Sequence, residues 1–143
     1  MNIAIGGDHA GLEYKEQLIS FLKLEGFTVN DYGPFTNASC DYPDFAHAVA
    51  SNVANHQNSF GILICGSGNG VAMTANKHRG IRAALCWNAE VAQLARQHND
   101  ANIICMPARF VTYESVLQMT EVFLATAFEG GRHQRRVDKI DLA

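Results

Sequence analysis

Phe60-Gly61-Ile62-Leu63-Ile64-Cys65 runs directly into Gly66-Ser67-Gly68-Asn69-Gly70. The first six residues are the most continuously apolar run of the chain, the pattern of a central strand covered by helices on both faces. The glycines that follow predict a turn, and the apolar spacing after them predicts a helix through about His78. Strand, glycine turn and helix in that order make one unit of an open parallel sheet.

The same alternation extends in both directions. Asn2-Ile3-Ala4-Ile5 reads as a first strand. Over 11–24, Leu12, Leu18, Ile19, Phe21 and Leu22 share a broad helical face, and Gly26 stands where that helix should stop. Residues 27–32 alternate as a second strand, closed by Gly33-Pro34 and an irregular stretch through Asp41. Pro43 suits the first turn of a helix carrying Phe45, Val49 and Val53, with Ala46, Ala50 and Ala54 permitting close packing. After the central unit come a strand over 81–86, a helix over about 89–97 and a strand over 102–106. A helix from 113 to about 128, N-capped by Thr112, is expected to be the longest.

Five strands alternating with helices predict an α/β fold. It should be a three-layer sandwich, with a five-stranded parallel sheet and helices on both faces because the crossovers are right-handed, plus a C-terminal helix. No repeat, linker or low-complexity segment interrupts the pattern, so a single domain over 1–143 is expected. Ligands of such sheets bind beyond the carboxyl ends of the strands, where the strand order reverses.

With 143 residues, 48% of them hydrophobic, the chain can bury roughly two-thirds of its unfolded surface. A net charge of −3 gives no electrostatic reason to expect nucleic acid or an anionic membrane as a partner. No secretory-signal pattern precedes the first strand, and polar residues interrupt every apolar run short of the ~20 residues that span a bilayer. A soluble, cytoplasmic protein is expected. Cys40, Cys65, Cys86 and Cys105 are too few and too widely spaced for a disulfide scaffold, and no ligand spacing suggests a metal. Cys86 and Cys105 read as small buried hydrophobes.

Three places at strand ends carry polar residues that a core does not need: Gly7-Asp8-His9, Cys65 through Gly70, and His98-Asn99-Asp100. All three are assigned to the ligand side of the sheet, the third from a helix end before the fifth strand. Cys65 ends the central strand before a helix N-terminus, where unpaired N–H groups and the helix dipole favour a thiolate; a plain buried cysteine is the alternative. Gly66, Gly68 and Gly70 leave backbone N–H groups open to an anion or a developing oxyanion. A dinucleotide fingerprint does not fit, because the Gly-x-Gly-x-x-Gly spacing is incomplete and no acid ends the next strand at Cys86. No Gly-Lys-Ser/Thr of a Walker loop is present, and Val71 stands where a phosphatase Cys-x5-Arg loop needs arginine.

Asp8 and His9 can polarise or protonate a substrate oxygen, or make an ordinary capped turn. His98 can be an acid or a surface histidine at a helix end. Arg132 and Arg136, four residues apart, present two guanidinium forks that suit a phosphate monoester, or a solvated basic helix, and Arg109 can join them.

Gly7-Asp8-His9-Ala10-Gly11, Asp41-Tyr42-Pro43, Ile64 through Gly70, Ala75-Asn76-Lys77, Gly80-Ile81-Arg82-Ala83, Arg96 through Asn102 and Glu129-Gly130-Gly131-Arg132-His133 occur in order over nearly the whole chain. In these stretches the sequence resembles the ribose-5-phosphate isomerase B and galactose-6-phosphate isomerase family. The resemblance implies a Rossmann-like fold, no metal or cofactor, and a homodimer or dimer of dimers with active sites at the subunit interface. Residue by residue it implies Cys65 as catalytic base, Ser67 as its hydroxyl partner and His98 as the ring-opening acid. It implies sugar contacts from Asp8, His9, Asn99 and the loop of Gly66, Gly68, Asn69 and Gly70, and phosphate contacts from Arg109, Arg132 and Arg136. The Gly-Ser-Gly-Asn-Gly wording is similar to a second branch of the family that uses a glutamate just after the loop, but Val71 fills that place and cannot take a proton.

In the galactose-6-phosphate enzymes the cysteine and histidine equivalents are divided between two different subunits. Here one chain carries both, which favours a homo-oligomer. The activity implied is interconversion of ribose 5-phosphate and ribulose 5-phosphate through ring opening and a cis-enediolate, as in the pentose phosphate pathway. In that scheme Asp8 assists His98 and Ser67 moves a proton between O1 and O2. An isomerase for allose 6-phosphate or galactose 6-phosphate is the enzymatic alternative, and a flavodoxin-like nucleotide-binding module the non-enzymatic one.

Overall fold

The computed structural model describes residues 1–142. Strand β1 (Asn2–Gly7) leads through a 3-10 turn (His9–Gly11) into α1 (Leu12–Leu24). Then follow β2 (Thr28–Asp31), α2 (Tyr42–Ala54), β3 (Phe60–Cys65), α3 (Asn69–Ala75), β4 (Ala83–Leu85) and α4 (Ala89–Asn99). The chain closes with β5 (Ile103–Pro107), α5 (Tyr113–Ala125) and α6 (Arg132–Val137). No described helix is long and apolar enough to cross a membrane.

All strand pairs are parallel, in the order β2-β1-β3-β5-β4. Because side chains alternate across a strand, the three central strands feed two cores at once. Ile3, Ile5, Ile62, Ile64, Ile104 and Met106 face one way and pack with α1, α4 and α5. Ala4, Leu63, Cys65, Ile103 and Cys105 face the other way and pack with α2 and α3. The expected three-layer α/β sandwich with a C-terminal helix is the structure found.

Several boundaries differ from the sequence reading for tertiary reasons. The helix expected through His78 ends at Ala75 because the side-chain amide of Asn76 bonds both the N–H and the carbonyl of Ala83, at 2.8 and 2.9 Å. The strand expected over 81–86 shrinks to three residues on the sheet edge, since the Arg82 N–H is taken by the Asn102 side chain. α5 stops at Ala125, leaving it no longer than α1 or α2. Thr126 turns extended, and its carbonyl accepts from the buried Arg96 guanidinium at 3.1 Å.

The chain leaves β1 toward one edge and β3 toward the other. The crevice between the carboxyl ends of β1 and β3 is therefore a switch point of the strand order, where ligands of doubly wound sheets sit.

Candidate active site

Cys65 is the last residue of β3, with 4% of its surface exposed. Its Sγ accepts a hydrogen bond from the Gly68 N–H at 3.1 Å, the kind of contact an anionic sulfur needs. Gly68 has φ +75°, a left-handed conformation that lets the loop fold back over the sulfur. Ser67 is exposed beside it, and its Oγ accepts from the Asn69 N–H at 3.3 Å. Gly70 lies beneath the ring of Tyr42, where a β-carbon would come within 2.4 Å of Tyr42 Cζ.

Cys65, Ser67, Gly70 and Tyr42 line a cleft of about 440 Å³ with Asp8, Gly66, Arg109 and Phe110, whereas Gly68 and Asn69 are not part of its lining. Asp8 arrives from β1, held by its own N–H donating to Ile64 O at 3.2 Å. Its Oδ1 accepts from the N–H groups of Ala10 and Gly11, so the capped-turn reading holds for that oxygen. Arg109 arrives from β5, with its N–H on Gly66 O at 3.1 Å and its guanidinium lying against Gly66. His9, in the 3-10 turn beyond Asp8, has Nδ1 3.9 Å from Cys40 Sγ. Tyr42 and Phe110 were not singled out as site residues by the sequence reading; an aromatic before the helix-opening Pro43 was the available signal for the first.

The third polar site is a correction. His98 and Asn99 close α4, and the following β5 begins beside the start of β3, with Asn102 O accepting from the Gly61 N–H at 2.9 Å. That level lies four strand residues below Cys65, on the order of 13 Å. His98 and Asn99 therefore belong near the amino end of the sheet, because a helix returning to a parallel strand ends where that strand starts. Neither lines the cleft, and Asn99 borders a separate cavity of about 690 Å³ with Arg82 and Ile140. Buried Arg96 organises this corner: its guanidinium bonds Asp100 Oδ1 at 2.9 Å and Ala101 O at 2.6 Å. Arg132 and Arg136 sit on α6, which packs on α4, and Arg136 donates to Arg132 O at 3.0 Å.

The cysteines differ by address. Burial pushes the Cys86 thiol up to about 12, and burial first, with Cys86 and Cys65 adding to it, pushes Cys105 well above the thiol range. Both are packing residues, as expected. Among the described residues all four thiols are free.

A thiol under a backbone N–H, a hydroxyl, a carboxylate and a guanidinium gather around one cleft at a switch point of a parallel α/β sheet, the place and the groups of a candidate enzyme site. Residues 3–140 match the family model described as Ribose/Galactose Isomerase. Ribose-5-phosphate isomerase B of Escherichia coli is 42% identical over 138 residues, 96% of this chain and 91% of that protein. The crystal structure of a Mycoplasma genitalium ribose-5-phosphate isomerase B with bound ribulose 5-phosphate is 50% identical, with a TM-score of 0.93, and 97% of this chain and 93% of that one are covered. A ribose 5-phosphate isomerase of Thermotoga maritima superposes with a TM-score of 0.96 at 46% identity, covering 98% and 97%. The chain belongs to the ribose/galactose isomerase family.

Proposed function

We propose that residues 1–143 form one sugar-phosphate isomerase domain that interconverts ribose 5-phosphate and ribulose 5-phosphate in the cytoplasm. The observation that carries the reading is Cys65, placed at the sheet switch point with Gly68 N–H on its sulfur. Family membership and a relative crystallised with ribulose 5-phosphate support the substrate.

Aldose–ketose isomerisation removes a proton from the carbon beside a carbonyl and returns one to its neighbour. In this reading Cys65 as thiolate takes the C2 proton of the open-chain aldose and returns it to C1. The N–H groups of the glycine loop lie beside the sulfur and stabilise the enediolate oxygens. Ser67 moves a proton between O1 and O2. His98 protonates the furanose ring oxygen, and Asp8 in the cleft takes the anomeric hydroxyl proton. Arg109, Arg132 and Arg136 hold the non-reacting phosphate, and that binding orients the sugar. No cofactor or metal takes part in this scheme.

One chain does not bring its parts together, because Cys65 and His98 belong to different ends of the sheet. A homodimer resolves this if the α4–α6 end of one copy, with His98, Asn99, Arg132 and Arg136, closes the cleft of the other. Phe110, 76% exposed on the cleft rim, suits such a contact. The deciding experiment is conversion of ribose 5-phosphate to ribulose 5-phosphate by the purified protein, against allose 6-phosphate and galactose 6-phosphate as competing substrates. A higher kcat/KM for either hexose phosphate would displace the pentose assignment.

A further inference from the structure

Outside the cleft, one cluster of titratable side chains is built with unusual order. His98 at the end of α4 and His133 in α6 lie face to face, with ring centroids 4.2 Å apart and planes 11° from parallel. Glu129, in the connection between α5 and α6, turns Oε1 toward both rings. It lies 3.7 Å from His98 Nε2 and 3.5 Å from His133 Nε2. The Glu129 N–H donates to Gln97 O at 3.1 Å, so this carboxylate is tied to the turn of helix that carries His98.

The three side chains are not equally free. His133 is only 12% exposed, whereas His98 is 38% exposed. Loss of water, then His98 and Arg132, lower the pKa of His133, with Glu129 opposing them and Arg136 adding to the decrease. These influences disfavour a charged His133 in the stack behind His98. Glu129 then faces His98 with the compensating negative charge that a proton-donating imidazole requires.

A cation held by the two imidazoles and the carboxylate, whose ligand atoms lie within 4.8 Å of one another, is the competing reading. Arg132 and Arg136 add positive charge to the same short helix. Nearly parallel rings also aim their in-plane lone pairs side by side and not at one point. Both features disfavour a metal and suit an oriented acid.

We propose that Glu129 is a positioning residue for ring opening: its carboxylate stands within ion-pair range of Nε2 of a protonated His98, at 3.7 Å and without a direct hydrogen bond, and with His133 stacked behind it leaves Nδ1 as the nitrogen that faces the ring oxygen of the cyclic sugar. This rests on the reading of His98 as the ring-opening acid. In that step His98 gives its proton to the ring oxygen as the bond from that oxygen to C1 breaks. The anomeric hydroxyl gives its proton to Asp8 and becomes the C1 carbonyl; Asp8 then releases that proton to solvent and His98 regains one from solvent. Nothing is oxidised or reduced.

Ribulose 5-phosphate separates this step from isomerisation, because its C5 hydroxyl carries the phosphate and no furanose forms. Two rates are measured on the intact oligomer: turnover of ribose 5-phosphate, and solvent deuterium entering C1 of ribulose 5-phosphate. Glu129→Gln should lose about 10-fold or more in the first, a fraction of the worth of a positioned acid, and stay within about twofold in the second. Glu129→Asp should recover part of the loss, and His133→Gln should show the same split more weakly. Equal loss in both rates would mean a merely structural role and overturn the proposal. Loss in neither, while His98→Asn loses the first selectively, would overturn the role of Glu129 and leave that of His98. A His98→Asn variant without the selective loss would remove both.

Discussion

The N–H of Gly68 donates to Sγ of Cys65 across three residues at 3.1 Å, joining the end of the central strand to the start of α3. This bond places a hydrogen-bond donor on the sulfur, and in the proposed mechanism it makes the chemistry of Cys65 depend on the backbone angle of one glycine.

Cys65→Ala should still bind ribose 5-phosphate but lose turnover by roughly 10²–10⁴-fold, the usual worth of a positioned acid–base group. In deuterated water the wild type should place deuterium at C2 of recovered ribose 5-phosphate, and the variant almost none. Exchange at wild-type rates in Cys65→Ala would remove Cys65 as the base.

Gly68→Ala should damage both stability and rate. A β-carbon there would stand 2.4 Å from Leu85 Cδ1 at a backbone φ of +75°. The left-handed conformation alone costs an L-residue about 1–2 kcal/mol. A lowered Tm together with reduced kcat is expected; unchanged kcat would dissociate the loop conformation from the sulfur's function.

Inactive Cys65→Ala and His98→Asn chains should regain activity when unfolded and refolded together. If each site draws Cys65 and His98 from different chains, half of the dimers are mixed and one site in each is intact, so about a quarter of wild-type activity returns. No recovery would remove His98 from the shared site, since one chain keeps Cys65 and His98 at different ends of the sheet.

The buried thiols set an alkaline limit. Cys86 keeps its proton in the native protein until about pH 12, whereas an unfolded thiol loses it near 9.0. The unfolded state binds fewer protons above that value, so stability contributed by Cys86 is fully present below pH 9 and declines from there toward 12; Cys105 acts in the same direction. Urea titrations at pH 8 and pH 10 should show the fall, and Cys86→Ala should make it shallower.

Activity should also survive exhaustive chelation, since every group in the proposed scheme, from Cys65, Ser67, His98 and Asp8 to the arginines and backbone donors, belongs to the protein itself. Loss with EDTA and recovery with a divalent ion would contradict it.

Much of this was legible in local pattern. The apolar Ile3-Ala4-Ile5 and the unbroken apolar run of Phe60–Cys65 are properties of neighbouring residues, and burial on both faces of these strands reads directly from them. Pro43 in the first turn of α2 and Thr112 capping α5, with Oγ1 on the Ser115 N–H at 3.1 Å, are equally local. Cys65 at a strand end before a glycine turn follows from the same kind of reading. What the amino-acid sequence could not show are partnerships between residues far apart in it. The order β2-β1-β3-β5-β4, the Asn76 side chain that ends α3 by bonding Ala83, and the Tyr42 ring over Gly70 depend on long-range packing that no local pattern encodes. The polar stretch His98-Asn99-Asp100 looks like a ligand site wherever it lies. Only the parallel crossover, which must return α4 to the amino end of the sheet before β5 can pair with β3, sets it apart from Cys65.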